Sequence, residues 1–132
     1  KMNPEPEIIR ENYTGSGKLL GKTAFITGGD SGIGRSAAVH FAREGANVAI
    51  VYLKEDKDAK ETKELIEKEG QQCLLISGDL KDEKFCKEAV KKCISTFKTI
   101  NVLVNNAAVQ FPQNEIRDGL EALVRYTTDR KY

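Results

Sequence analysis

Short apolar runs alternate along this chain with longer segments in which apolar residues recur every three or four positions. The short runs span 23–26, 47–53, 73–77 and 101–104, and each has the length of a strand. The run 47–53 is almost continuously apolar and rich in β-branched residues, which is typical of a strand covered on both faces. The pattern therefore predicts four strands of a parallel sheet.

The segments between these strands have the periodicity of amphipathic helices. In the first, apolar residues recur at helical spacing from Ile33 until Gly45 ends the pattern. Residues 55–69 and 82–97 form the second and third predicted helices. Strands and helices that alternate in this order predict an α/β fold with right-handed crossovers. We expect a Rossmann-like, doubly wound parallel sheet, incomplete, with about four strands in the order 3-2-1-4.

The composition divides the chain into three segments. Residues 1–21 contain two prolines and few apolar side chains, which predicts an arm that lies over the surface of the domain. Residues 22–112 would form the sheet and its helices, and residues 113–132 a divergent C-terminal helix or tail. The full length of 132 residues is that of one domain at most.

The composition also argues against several kinds of partner and site. The 21 basic and 20 acidic side chains nearly balance, so no basic surface for nucleic acid or an anionic membrane is expected. No apolar run approaches the roughly 18 residues that span a bilayer, and the first residues lack the apolar stretch of a secretory signal. The three cysteines match no metal or redox spacing. This favours packed, reduced thiols and a cytoplasmic location.

Four glycines lie within seven positions directly after the first predicted strand, in the sequence TGGDSGIG at 27–34. In a parallel sheet this turn holds a ligand's phosphates, because a helix N-terminus presents unpaired N–H groups and the positive end of the helix dipole. Gly28 would make the turn, Gly32 would let a pyrophosphate approach, and Gly34 would let the helix pack against the strand. We interpret residues 28–34 as a phosphate-binding glycine loop.

Together with motifs after the other strands, the glycine loop resembles the short-chain dehydrogenase/reductase family. The spacing Gly28-x-x-x-Gly32-x-Gly34 is similar to the glycine motif of that family. Asp79-Leu80 follows the third strand, where the family's Asp holds the adenine side of the cofactor. The sequence NNAA at 105–108 resembles the family's Asn-Asn-Ala-Gly, with Ala108 in place of the glycine. The arm and the loop further resemble bacterial members with an extended N-terminal arm, many of them glucose or general-stress dehydrogenases.

The resemblance covers roughly residues 18–112 and implies a fold that binds NAD or NADP. Members transfer a hydride between the nicotinamide and an alcohol or carbonyl. The residues that would bind the cofactor follow the four strands; they are Gly28, Asp30, Ser31, Gly32, Ile33, Gly34, Tyr52, Leu53, Lys54, Asp79, Leu80, Asn106, Ala107 and Ala108.

The end of the second strand bears on the choice between NADP and NAD. An acidic residue there would accept hydrogen bonds from the ribose of NAD, but Tyr52 occupies the position and Lys54 could attract a 2′-phosphate. Against this, neither Ser31 nor Leu53, where the family's NADP-type arginine would lie, is basic. Asp30 could also oppose the phosphate. We predict NADP as the preferred cofactor and NAD as the alternative.

The family's catalytic groups have no counterpart that we identify, so we predict no catalytic residue. Members use a serine and a Tyr-x-x-x-Lys motif, and Tyr126 has an arginine at the lysine position. Two hypotheses remain: the cofactor-binding portion of an NAD(P)-dependent oxidoreductase, or a truncated, non-catalytic dinucleotide-binding module. A methyltransferase-type half fold shares a glycine-rich first turn but lacks this spacing. The open edge of an incomplete sheet also predicts self-association.

Overall fold

The computed structural model describes residues 8–30 and 32–106. Strands and helices alternate through these residues in the order β1 (Thr23–Thr27), α1 (Gly32–Arg43), β2 (Asn47–Tyr52), α2 (Asp56–Lys68), β3 (Cys73–Ser77), α3 (Glu83–Phe97) and β4 (Val102–Asn105). All strand pairs are parallel, and the strand order is β3-β2-β1-β4. The predicted Rossmann-like sheet in the order 3-2-1-4 is confirmed.

The core lies on both faces of β1 and β2, the two central strands. Because successive side chains of a strand point to opposite faces, Ala24 and Ile26 pack with residues of α1 and α2, whereas Phe25 packs with residues of α3. Each of these three residues is fully buried. The almost continuous apolar pattern of these strands therefore reflects helices on both sides of the sheet, as the sequence predicts.

The start of α3 shows how a polar side chain sets a helix boundary. The sequence pattern includes Asp82 in the helix, but the helix begins at Glu83 and Asp82 is its N-cap. The Asp82 carboxylate accepts a hydrogen bond of 3.0 Å from the backbone N–H of Lys84. This satisfies one of the donors that the first turn leaves unpaired.

Residues 8–21 of the arm lie along α1 and contact it at both ends. The Ser36 hydroxyl, near the start of α1, donates to the carbonyl oxygen of Ile8 at 3.3 Å. At the other end, Arg43 Nη1 donates to the carbonyl oxygens of Arg10 and Tyr13 at 2.6 and 3.0 Å. The arm therefore runs parallel to α1, in the same direction. The division of the chain at residues 21 and 112 stays a prediction, since residues 107–132 lie outside the described part.

Glu44, directly after α1, connects the arm to the fold through its side chain. It is only 5% exposed, and its carboxylate accepts hydrogen bonds from the Tyr13 hydroxyl and from the Ser16 backbone N–H (2.9 Å) and hydroxyl (3.1 Å). The Leu19 N–H donates to the Glu44 carbonyl oxygen at 2.9 Å. A buried carboxylate is thus satisfied by donors that all come from the arm.

Arg43 also joins α1 to the end of α2. Its Nε and Nη2 donate to the two carboxylate oxygens of Glu69 at 2.9 and 2.7 Å, in the bidentate geometry that an arginine fork allows. The hydrogen bond from Arg43 lowers the pKa of Glu69 below its ordinary value. Ionised Glu69 therefore stabilises the folded state.

This pair predicts how stability depends on pH. Because the pKa of Glu69 is lower in the folded chain than in the unfolded one, its contribution is complete above about pH 4.3, the ordinary Glu pKa, and is lost as the pH falls through the lower, folded value. In Glu69→Gln we expect lower stability at pH 6 and a shallower loss between pH 6 and 3. Thermal melts across this range test it, with Glu64→Gln on the exposed face of α2 as the control. Parallel pH profiles for wild type and Glu69→Gln would contradict it.

The three cysteines are free and buried, as the sequence predicts. Burial raises the thiol pKa to about 12 for Cys73 and Cys93 and to about 11 for Cys86. These thiols are therefore protonated near neutral pH and serve as small apolar side chains of the core.

Candidate functional site

The residues that follow the strands gather at one edge of the sheet. The four strands in residues 8–106 are parallel, so their carboxyl ends lie at this edge, which is where open α/β sheets bind ligands. The candidate residues there that the structure describes are Gly28, Asp30, Gly32, Ile33, Gly34, Tyr52, Leu53, Lys54, Asp79, Leu80 and Asn106. Ser31, Ala107, Ala108 and Tyr126 lie outside the described residues.

The glycine loop turns sharply at its start and is open where α1 begins. Gly28 has a φ of +72°, and its N–H donates to the Val51 carbonyl oxygen at 2.7 Å, which ties the turn to β2. Gly32 has a φ of +60°, and a Cβ placed on it would meet nothing within 4 Å in the part of the chain that the structure describes, apart from its sequence neighbours and its own helix backbone. The first turn of α1 is therefore unobstructed at Gly32. Ile33, next to it, is 81% exposed.

Gly34, by contrast, lies directly against the turn after β1. A Cβ at Gly34 would lie 2.2 Å from the Gly28 carbonyl oxygen and 2.8 Å from Asn106 Nδ2. Asn106 Nδ2 itself donates to that carbonyl oxygen at 3.0 Å. Asn106, after β4, therefore holds the turn after β1, and only a glycine at position 34 leaves room for this contact.

Two residues outside the predicted site also hold the glycine loop. Arg35 Nη2 donates to the Asp30 carbonyl oxygen at 2.7 Å, and the Thr62 hydroxyl lies 3.1 Å from the same oxygen. Arg35 Nε donates to Thr62 Oγ1 at 2.8 Å. A signal for Thr62 exists in the sequence: at helical spacing it lies between Ala59 and Ile66 on the buried face of α2, where a polar side chain needs a partner.

The residues at the end of β2 form the polar rim of the site. The Tyr52 hydroxyl donates to Asp56 Oδ1 at 2.7 Å, and this bond is the main reason that the pKa of Tyr52 is raised. The charge of Asp30 raises the same pKa to a smaller extent. Leu53 and Lys54 are exposed.

The two candidates after β3 differ in how accessible they are. Asp79 is half-buried, and its Oδ1 accepts a hydrogen bond of 2.9 Å from the Lys81 N–H. The Leu80 side chain is only 5% exposed and packs in the core against α3, and the Cys86 thiol donates to its carbonyl oxygen at 3.3 Å. The structure thus brings Asp79 to the rim and places the Leu80 side chain in the core.

The described residues contain no cluster of three or more side chains that could hold a metal ion. Within the same ranges, none of the helices combines the length and the apolar composition needed to cross a membrane.

The sequence profile of the short chain dehydrogenase family matches residues 22–125. The chain belongs to this family. This short chain dehydrogenase sequence is 57% identical over 116 residues to the oxidoreductase YhdF of Bacillus subtilis, a match that covers 88% of the chain and 40% of YhdF. It is 52% identical to General stress protein 39 of the same organism, over 89% of the chain and 41% of that protein. Glucose and ribitol dehydrogenase of Daucus carota is 45% identical, over 89% of the chain and 42% of that protein.

Solved structures of short-chain dehydrogenases share the fold of this family member. A short-chain dehydrogenase/reductase from Serratia marcescens superposes with a TM-score of 0.71 at 26% identity, over 83% of this chain and 52% of that one. Carveol dehydrogenase from Mycobacterium avium, solved in complex with NAD, superposes with a TM-score of 0.70 at 24% identity, over 86% of this chain and 50% of that one. The chain spans about two fifths of the length of the curated relatives that it matches.

Proposed function

We propose that this chain is the cofactor-binding portion of an NAD(P)-dependent oxidoreductase that acts on an alcohol or a carbonyl. The observation that carries the proposal is the open approach at Gly32, at the first turn of α1, where a Cβ would meet nothing within 4 Å in the described residues beyond its sequence neighbours and its own helix backbone. There the unpaired N–H groups of the helix and its dipole favour a diphosphate. The relatives named oxidoreductases and dehydrogenases support the same reading.

In this proposal the dinucleotide would lie across the carboxyl ends of the strands. The loop from Gly28 to Gly34 would hold the diphosphate, Tyr52 and Lys54 would lie at the adenosine ribose, and Asp79 at the adenine. When bound, the nicotinamide would supply the hydride acceptor or donor. The chain's own residues bind and orient the cofactor.

NADP is the cofactor that we propose as preferred, with NAD as the alternative. Tyr52 leaves no carboxylate at position 52 to accept hydrogen bonds from a ribose 2′-OH, and the exposed Lys54 can approach a 2′-phosphate. The negative charges of Asp56, which accepts the hydrogen bond from the Tyr52 hydroxyl, and of Asp30 would disfavour a 2′-phosphate there. If Lys54 decides the preference, Lys54→Met weakens NADPH binding and leaves NADH binding unchanged. An equal loss for both cofactors would contradict the preference.

The decisive experiment titrates the chain with NADPH and NADH by fluorescence and then assays a panel of alcohols and sugars for turnover. Binding of either dinucleotide supports the proposal, and binding without turnover favours the alternative of a non-catalytic dinucleotide-binding module. Turnover by the chain itself would overturn that alternative. Absence of binding would overturn both.

Two further properties belong to the same proposal. Among the described strands, β4 pairs on one side only, with β1, and its apolar residues are half-buried. We therefore propose that copies of the chain associate through the free side of β4. Sedimentation over a range of protein concentrations tests this. The buried, unpaired thiols favour a reducing, cytoplasmic location.

A further inference from the structure

The middle of the glycine loop is held by side chains from two helices rather than by its own backbone. At its start the loop is tied to β2 and β4 through the Gly28 N–H and carbonyl. Further along, the Asp30 carbonyl oxygen accepts a hydrogen bond from Arg35 Nη2 at 2.7 Å and lies 3.1 Å from the Thr62 hydroxyl, whose one hydrogen it shares with the Asp58 carbonyl oxygen, also at 3.1 Å. Because a peptide group is planar, holding this oxygen fixes the orientation of the peptide to which it belongs.

The same two side chains connect the loop to the first half of α2. Arg35 Nη2 also donates to the Asp58 carbonyl oxygen at 2.8 Å, and Arg35 Nε donates to Thr62 Oγ1 at 2.8 Å. Thr62 is fully buried, and the Arg35 side chain is 17% exposed. Water therefore competes little for these bonds, and the arginine is oriented by several acceptors at once.

We propose that Arg35 and Thr62 are positioning residues of the glycine loop, which hold the Asp30 carbonyl so that the loop keeps the shape that binds a diphosphate. The part of this inference that concerns the ligand rests on the proposed function. Glycines give the loop many accessible conformations. Without the two donors, a smaller fraction of the chains has the binding-competent loop, and the apparent affinity falls by that fraction.

The test compares Thr62→Val, Thr62→Ser and Arg35→Gln with wild type. Valine has nearly the shape of threonine but neither donates nor accepts, whereas serine keeps the hydroxyl. We expect Thr62→Val and Arg35→Gln to weaken the binding of NADPH and NADH alike by about tenfold and Thr62→Ser to restore most of the loss. A loss confined to NADPH in Arg35→Gln would overturn the inference, because it would mean that Arg35 contacts the 2′-phosphate itself.

Arg43→Gln is the matched control for a purely structural effect. Arg43 is on the same helix as Arg35 and also joins α1 to α2, through Glu69, but it contacts the arm and not the glycine loop. We expect Arg43→Gln to lower the thermal midpoint and to leave the affinity of the folded chain unchanged. If all variants lose affinity only in proportion to their unfolded fraction, Arg35 and Thr62 have no positioning role.

Nitrogen relaxation of the ligand-free chain provides a readout that does not depend on the cofactor. In Thr62→Val the order parameters of the backbone amides of Gly28, Gly29, Asp30 and Gly32 should fall below about 0.6, whereas in Arg43→Gln they should stay near 0.85. A loop that stays rigid in Thr62→Val overturns the inference.

If the wild-type chain binds neither dinucleotide but the loop of Thr62→Val loosens as expected, the proposed function fails and the positioning role stands. A loosened loop with unchanged affinity overturns the role in binding.

Discussion

Gly34→Ala will destabilise the chain by about 2 kcal/mol and weaken dinucleotide binding, because the new methyl group collides with backbone. The added Cβ would lie 2.2 Å from the Gly28 carbonyl oxygen and 2.8 Å from Asn106 Nδ2. Overpacking of this kind costs about 1–3 kcal/mol. The better helix propensity of alanine returns up to about 1 kcal/mol, but a carbonyl of a hydrogen-bonded turn cannot rotate away as a side chain can. Urea denaturation followed by circular dichroism measures the stability.

Gly32→Ala is the companion variant, since its methyl group would meet nothing within 4 Å in residues 8–30 and 32–106 beyond its sequence neighbours and its own helix backbone. Its cost to folding is the left-handed backbone at φ +60°, about 1 kcal/mol. The methyl group would nevertheless stand where the diphosphate approaches, so we expect a loss of binding at least as large as that of Gly34→Ala. If Gly34→Ala proves as stable as wild type, the contact between α1 and the turn after β1 is not what the structure indicates.

Glu44→Ala is the second substitution with a large expected effect, about 3 kcal/mol of lost stability. The variant leaves the Ser16 N–H and the Tyr13 hydroxyl without their acceptor and removes a buried charge-assisted network. Hydrogen bonds to charged groups are worth about 1.5–3 kcal/mol each. The arm should also become susceptible to trypsin at Lys18, which is exposed.

The control for Glu44→Ala is Glu83→Ala on α3. Glu83 pairs with Lys87 at 3.7 Å, but both side chains are more than half exposed, and such pairs contribute about 0.5 kcal/mol or less. Equal melting temperatures for the two variants, with the arm equally resistant to trypsin, would contradict the role of Glu44.

The two arginines of α1 make long-range contacts that the sequence alone does not predict. Their positions on a helix follow from the periodicity, but Arg35 bonds to Thr62 and Arg43 to Glu69 across separations of 27 and 26 residues. No local pattern distinguishes these side chains from the many charged residues on solvated helix faces. The same holds for His40 of α1, which is half-buried and stacks on Tyr13 of the arm, with ring centroids 5.8 Å apart.

The burial of Glu44 is likewise not predictable from the sequence. An acidic residue next to a helix end is usually solvated, so the sequence offers no reason to bury it. Glu44 is buried because the arm packs along α1 and supplies hydrogen-bond donors to it. This close packing requires a glycine at position 15, where a Cβ would lie 2.1 Å from the Arg43 carbonyl oxygen.

The sequence by itself determined the order of strands and helices, the parallel sheet and the position of the glycine loop, because periodicity and glycine spacing are local properties of the chain. Only the tertiary structure decided which side chains hold that loop and how the arm is attached. These contacts join residues that are far apart in sequence, and their geometry exists only once the helices have packed on the sheet.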